Sequence, residues 1–134
     1  MDYNKPLPTP TPETQPFWDG LKAHELRVMH CMNCDHTYLY PRPYCPKCFS
    51  DKTEWRAASG RGSLHTYMIN HRPPSPAWEA PYVIAIVELE EGPRLMSNLV
   101  DIAADPSVLT IDMPLQVVYD DVTDQVTLPK FRPA

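Results

Sequence analysis

Four cysteines stand in two pairs, Cys31-Met32-Asn33-Cys34 and Cys45-Pro46-Lys47-Cys48, separated by ten residues. In each pair a tight turn aims both sulfurs at one point, so the two pairs supply four thiolates in a tetrahedron. That soft, closed set suits one structural Zn2+, and iron is chemically possible in the same donors. No position is left open for a reactive water, so the metal is expected to staple a segment too small to hold itself. Two disulfides or four free thiols are the plain alternative, and the knuckle spacing weighs against it. His30 and His36 border the first pair; with four cysteines present they are expected beside the metal's ligands and not among them.

The remaining polar residues form no recognisable catalytic set. Gly60-Arg61-Gly62 resembles the start of a phosphate loop but lacks the third glycine and runs into a strand pattern, so it reads as a flexible lead into that strand. No Walker sequence and no G-x-S-x-G elbow occurs. His65, His71, Glu79, Asp101 and Asp120 are scattered, and Asp120, Asp121 and Asp124 read as a solvated turn. No catalytic residue is expected. The long segment from His71 to Tyr82 is stiffened by four prolines and carries Trp78. Such a loop either docks a partner at low entropic cost or lets Trp78 cap the end of a barrel.

The elements that must position these groups can be read from patterning. The chain has 134 residues with 43% apolar content, enough for a modest core. Seventeen prolines against four glycines favour short strands and rigid connections. Pro6, Pro8, Pro10 and Pro12 make residues 1–12 an extended arm. Thr11 as N-cap, Pro12 at the first helical position and the spacing of Phe17 and Leu21 predict a short helix over Glu13–Glu25. Strands are expected at Leu64–Ile69, Tyr82–Leu89, Arg94–Val100, Leu115–Tyr119 and Gln125–Leu128, with residues 129–134 as a tail. Five short strands suit a closed oligonucleotide/oligosaccharide-binding (OB) barrel, because closure hides the edges. The expected class is therefore mainly β: an arm and short helix (1–25), the cysteine ribbon (26–58) and a five-stranded OB-fold barrel with tail (59–134).

Net charge is −5, without the basic excess that phosphate neutralisation demands, so nucleic acid is not an expected partner. No apolar run is long enough to cross a bilayer, and the polar, proline-rich start lacks signal-peptide regions. A cytoplasmic location is the expectation.

The order of motifs resembles a known family. Phe17-Trp18, the cysteine ribbon, the run Gly60 to Tyr67, and Pro81-Tyr82 leading to Leu89-Glu90-Glu91-Gly92 are similar to the DUF35 family, which joins a rubredoxin-like zinc ribbon to an OB-fold and associates with acyl-CoA enzymes. Glycine often follows the second cysteine of such a knuckle, and Asp35 and Phe49 stand there instead. The aromatic residue is the harder to fit, so the second knuckle is expected to be the looser. Asp112 similarly stands where a glycine commonly precedes the fourth barrel strand.

The resemblance implies a non-catalytic accessory subunit of a thiolase-fold, lipid-transfer-protein-like enzyme dimer. Its implied reactions are those of thiolases and of retro-aldolases that shorten steroid side chains after a MaoC-like hydratase. A coenzyme A thioester is then a shared ligand. Arg61, His71, Arg72, Lys130 and Arg132 are candidate coenzyme contacts, since phosphates need cationic or amide donors. Phe17, Trp18, Trp78 and Tyr82 are candidate partner contacts. Two other classes remain: a single-strand nucleic-acid module, with Tyr67 and Tyr82 stacking bases, and an iron-loaded redox ribbon.

Overall fold

The structure is a computed structural model that describes residues 3–134; Met1 and Asp2 of the expected arm lie outside the described residues. One helix, α1 (Gln15–Lys22), precedes eight strands: β1 (Arg27–Cys31), β2 (Thr37–Tyr38), β3 (Thr53–Ala57), β4 (Arg61–Asn70), β5 (Tyr82–Leu89), β6 (Arg94–Leu99), β7 (Pro114–Asp121) and β8 (Thr127–Pro133). The first three form a small antiparallel sheet in the order β2-β1-β3, which carries the cysteines. The other five close into a barrel in the order β4-β5-β6-β8-β7, the expected OB arrangement.

The helix is shorter than its sequence pattern suggests. Were Thr11 the cap, Pro16 would sit in the helix interior, where its ring and missing N–H break the ladder. Instead residues 11–14 make a separate turn, with the Thr14 N–H donating to the Thr11 carbonyl at 3.0 Å. The helix begins after Thr14, so Pro16 falls in its first turn. At the other end His24 takes a left-handed conformation (φ 59°). Its N–H donates to the Leu21 carbonyl (2.9 Å) and that of Glu25 to the Gly20 carbonyl (2.8 Å), a Schellman closure. The exposed His24 ring then stacks on Tyr119 of β7, with centroids 5.0 Å apart, and its Nε2 lies 2.9 Å from an Asp121 oxygen. The Leu26 N–H donates to the Tyr119 hydroxyl at 2.9 Å. These contacts fasten the chain between helix and ribbon to the barrel wall.

β5 matches its predicted span, alternating inward and outward side chains along its length. β8 does not. Its prolines suggest a tail after Leu128, but the strand continues through Lys130-Phe131-Arg132, and Phe131 is fully buried in the core. The Ser97 hydroxyl donates to the Pro129 carbonyl and the Val100 N–H to the Phe131 carbonyl, so these positions turn their backbone groups away from β7. Pro129 therefore sits where no N–H is owed to the β7 ladder. Asp120 and Asp121, expected in a loop, lie in β7 and pair with Leu128 and Thr127.

Gly60-Arg61-Gly62 is not a flexible lead. At Ser63 and Gly62, β4 pairs with β5 and β7 together. A Cβ on Gly62 would stand 2.5 Å from the Glu88 carbonyl oxygen, and one on Gly60 (φ 82°) 2.5 Å from the Val117 side chain. The glycines allow the barrel to close. Leu21, Leu26 and Val28 join Leu64, Val83, Val87, Leu115 and Phe131 in one apolar cluster, so helix, ribbon and barrel share a core. Among the described residues no helix is long and apolar enough to cross a membrane.

Candidate metal centre and neighbouring surfaces

The four cysteine sulfurs lie within 4.8 Å of one another. Cys31 and Cys48 Sγ are 3.6 Å apart, as are Cys34 and Cys45 Sγ. Four thiolates around zinc at Zn–S of about 2.3 Å form a tetrahedron with edges of about 3.8 Å, so the observed spacing fits such an ion. No disulfide joins them. The thiols themselves give the same reading: the His36 backbone hydrogen bond lowers the Cys34 thiol, yet burial and hydrogen bonds with the three neighbouring sulfurs push it up to about 12. Cys48 is pulled down to about 6 by the Ser50 N–H and the Asn33 amide. Four sulfurs this close do not all ionise alone, and a divalent cation removes the penalty.

The two knuckles are built alike. The Asp35 N–H donates to the Cys31 carbonyl and the Phe49 N–H to the Cys45 carbonyl, both at 2.9 Å. Asp35 and Phe49 each have φ 62°. The expected looseness of the second knuckle is therefore absent; Phe49 adopts the left-handed conformation despite its ring, which stays 77% exposed. Around the first knuckle His30 is buried, with Nδ1 3.0 Å from the Thr37 hydroxyl and Nε2 3.3 Å from an Asp35 oxygen. Those contacts support the Asp35 turn, while His36 stacks on Tyr38 at 5.9 Å.

Of the cations proposed for coenzyme contacts, Arg61 and Arg132 flank Gln116 on β7, its partners from β4 and β8, with Lys130 two residues along β8, whereas His71 and Arg72 lie apart from them. Arg61 and the His71-Arg72 pair lie at opposite ends of β4, whose ten residues span about 30 Å. Arg61 faces Glu90 at 3.4 Å, Arg132 faces Asp101 at 3.9 Å, and Lys130 is paired with Asp120. His71 and Arg72 are exposed beside the proline-rich loop. No cradle for one phosphate arises from these five residues.

The aromatic candidates do gather. Buried Phe17 and half-buried Trp18 line a mainly apolar cavity of about 310 Å³ with Tyr40, Pro41, Met96 and Pro129. Trp78 and Tyr82 line a second cavity of about 320 Å³ with Lys130 and the arm residues Tyr3, Lys5 and Pro6. Tyr40 is a residue the sequence does not single out. Its hydroxyl accepts from the Met96 N–H at 2.8 Å, so a ribbon residue covers the edge of β6. Nothing local signals a contact across 56 positions.

Comparison with known proteins adds the following. Residues 18–54 match the family model for the ChsH2 rubredoxin-like zinc ribbon domain, and residues 55–120 that for the ChsH2 C-terminal OB-fold domain. The chain is 41% identical over 119 residues to a probable enoyl-CoA hydratase alpha subunit of Thermomonospora curvata. It is 38% identical over 120 residues to the 3-oxo-4,17-pregnadiene-20-carboxyl-CoA hydratase alpha subunit of Mycobacterium tuberculosis. These alignments cover 88% and 87% of the chain but only 37% of either relative. A DUF35 domain-containing scaffold protein of Methanocaldococcus jannaschii is 40% identical over 76% of the chain and 73% of its own length. Among solved structures, a chain of an Ltp2-ChsH2(DUF35) aldolase superposes with a TM-score of 0.85 at 37% identity, covering 95% of this chain and 98% of that one.

Proposed function

The chain belongs to the DUF35 family, and on that premise we propose that it is a non-catalytic accessory subunit of a thiolase-fold enzyme acting on acyl-CoA thioesters. The observation that carries the reading is its similarity, over nearly the full length of both chains, to the chain of the Ltp2-ChsH2(DUF35) aldolase. The site is consistent with that role: a closed tetrathiolate set and one core shared by helix, ribbon and barrel.

In this reading the four cysteines hold one zinc ion that fixes the ribbon, while ribbon and barrel together present a surface to the enzyme dimer. The Mycobacterium tuberculosis relative is named for a steroid-derived acyl-CoA, which supports such thioesters as the substrate class, and the superposed structure, being of an aldolase, supports side-chain shortening as the reaction served. Both hydratase names support a second association with a MaoC-like hydratase. Because Arg61, Lys130 and Arg132 each face a carboxylate and His71-Arg72 lie at the far end of β4, contact with coenzyme A would be completed by partner residues and would not be made by this chain alone.

The test is purification of the tagged chain from its native host, with metal analysis. A stoichiometric thiolase-fold partner and about one zinc per chain are expected. A chain that comes down alone, or with nucleic acid lost on raising salt, would overturn the proposal.

A further inference from the structure

The two cavities are parts of one groove. Asn98, Leu128 and Lys130 line both, so the groove follows the seam between β6 and β8. That seam is the barrel's least complete junction: the strands pair in parallel at Leu99 and Phe131 only. Over the rest of its length the edge of β6 meets side chains, with Tyr40 on the Met96 N–H and Ser97 reaching across to the Pro129 carbonyl. One end of the groove has the apolar walls of Trp18, Tyr40 and Met96; the other holds Tyr3, Lys5 and Pro6.

We propose that this seam is a docking groove for an extended, proline-containing polypeptide, and that Tyr3 to Pro6 of the chain's own arm are its resident occupant. The arm suits such a site: Pro6 lies in it, and Pro8, Pro10 and Pro12 hold the chain that leads to it extended before it binds, which lowers the entropy lost on docking. The groove suits the arm equally. Lys5 Nζ lies 6.0 Å from the centroid of the Trp78 ring, within reach of a cation–π contact, and Glu79 lines the same cavity. Among the described residues no hydrogen bond joins positions 3–10 to the barrel. The arm is thus seated by packing in the cavity and by the Lys5–Trp78 contact, which a competing segment of the same character can replace. This surface is independent of whether the partner is an acyl-CoA enzyme.

The test uses the full chain labelled with 5-fluorotryptophan, whose Trp18, Trp55 and Trp78 give separate fluorine resonances. In the Tyr3→Ala/Lys5→Ala/Pro6→Ala variant the Trp78 resonance is expected to move while that of Trp55 on β3 stays. Adding a synthetic peptide of residues 1–12 should return it to the native position. A tethered arm meets its groove at an effective concentration of order 1 mM, so a seated arm implies half-saturation by the free peptide below about 1 mM. The proposal is overturned if Trp78 resonates alike in both chains, or if about 5 mM peptide, above that effective concentration, leaves it unmoved. It is also overturned if the native Trp78 resonance changes on dilution, because the arm would then come from a second copy.

Discussion

Replacing Tyr119 by Phe removes one oxygen and nothing else from the wall of the barrel. That oxygen accepts the N–H of Leu26, whose side chain is fully buried where the chain passes from helix to ribbon. The ring remains to stack on His24 and to pack against the core, so the change isolates one hydrogen bond. A buried donor left without a partner costs about 1–3 kcal/mol, more than the net value of an ordinary hydrogen bond. A loss of about 2 kcal/mol is the expectation. Unfolding entropy of about 2.1 cal/mol/K per residue, taken over the 134 residues, makes this a fall in Tm of roughly 7 °C. Urea titration of the zinc-loaded chain should show a lower midpoint with an unchanged slope, and amide exchange should show lost protection at Leu26. A loss below about 0.5 kcal/mol, smaller than any buried unsatisfied donor should give, would refute the reasoning if the Leu26 amide also stayed protected.

Cys45→Ser is expected to abolish stoichiometric zinc and to expose the amides of residues 27–57 to exchange while barrel amides stay protected, since the ribbon's sheet depends on the metal. Full protection of that sheet in a verified metal-free sample would refute this. Phe49→Gly should raise stability by up to about 1 kcal/mol in urea titration, because a left-handed side-chain residue costs roughly 1–2 kcal/mol and glycine's extra unfolded-state entropy cancels only part of that. A clear loss of stability would mean the exposed ring has a contact that the fold does not reveal. The Asp121 carboxyl is held below its ordinary value by hydrogen bonds from Thr127 and His24. Its stabilising contribution is therefore complete above the ordinary carboxylate pKa and is lost as pH falls through the lower folded value. Carbon-13 titration of Asp121 should show that value rising in Thr127→Val, and an unmoved titration would remove Thr127 as the cause.

Signals that are local in the chain were legible in it. The cysteine spacing forces two turns whatever surrounds them, and the structure places the four sulfurs at tetrahedral distances. The unbroken β-forming run Tyr82–Leu89 marks a strand and β5 spans it to the residue, but with apolar residues at outward positions too, only the structure shows which side chains face inward. Errors arose where a residue's meaning depends on a neighbour remote in sequence. Proline argues against a strand unless its missing N–H points away from the ladder, and only the register of β7 against β8 shows that Pro129 satisfies this. Gly62 reads as freedom in the sequence and as a steric necessity once the Glu88 carbonyl stands against it. Phe49 is the reverse: a glycine position by local rules, held left-handed by the same knuckle bonds that hold Asp35. The five cations look like one set in the chain, but β4 separates Arg61 from His71-Arg72 while the sheet register sets it across Gln116 from Arg132, and the groove depends on Tyr40 and Met96 meeting across 56 positions.

The short pairing between β6 and β8 also bears on the order in which the barrel assembles. β4, β5 and β6 follow one another as antiparallel neighbours, and β7 pairs with β8 across a short turn, so both groups need only local contacts. Two junctions join these groups, β4 with β7 at Arg61–Ser63 and β6 with β8 at Leu99 and Phe131; the second closes the barrel for a single residue pair, and such closures come late in folding. Contacts across the seam then add to the barrier against opening without hastening assembly. Ser97→Ala should accelerate unfolding and leave the refolding rate nearly unchanged; equal effects on both arms of a chevron would place the seam in the folding nucleus. The lifetime of the closed barrel, more than its rate of formation, is governed by the junction where its sheet is thinnest.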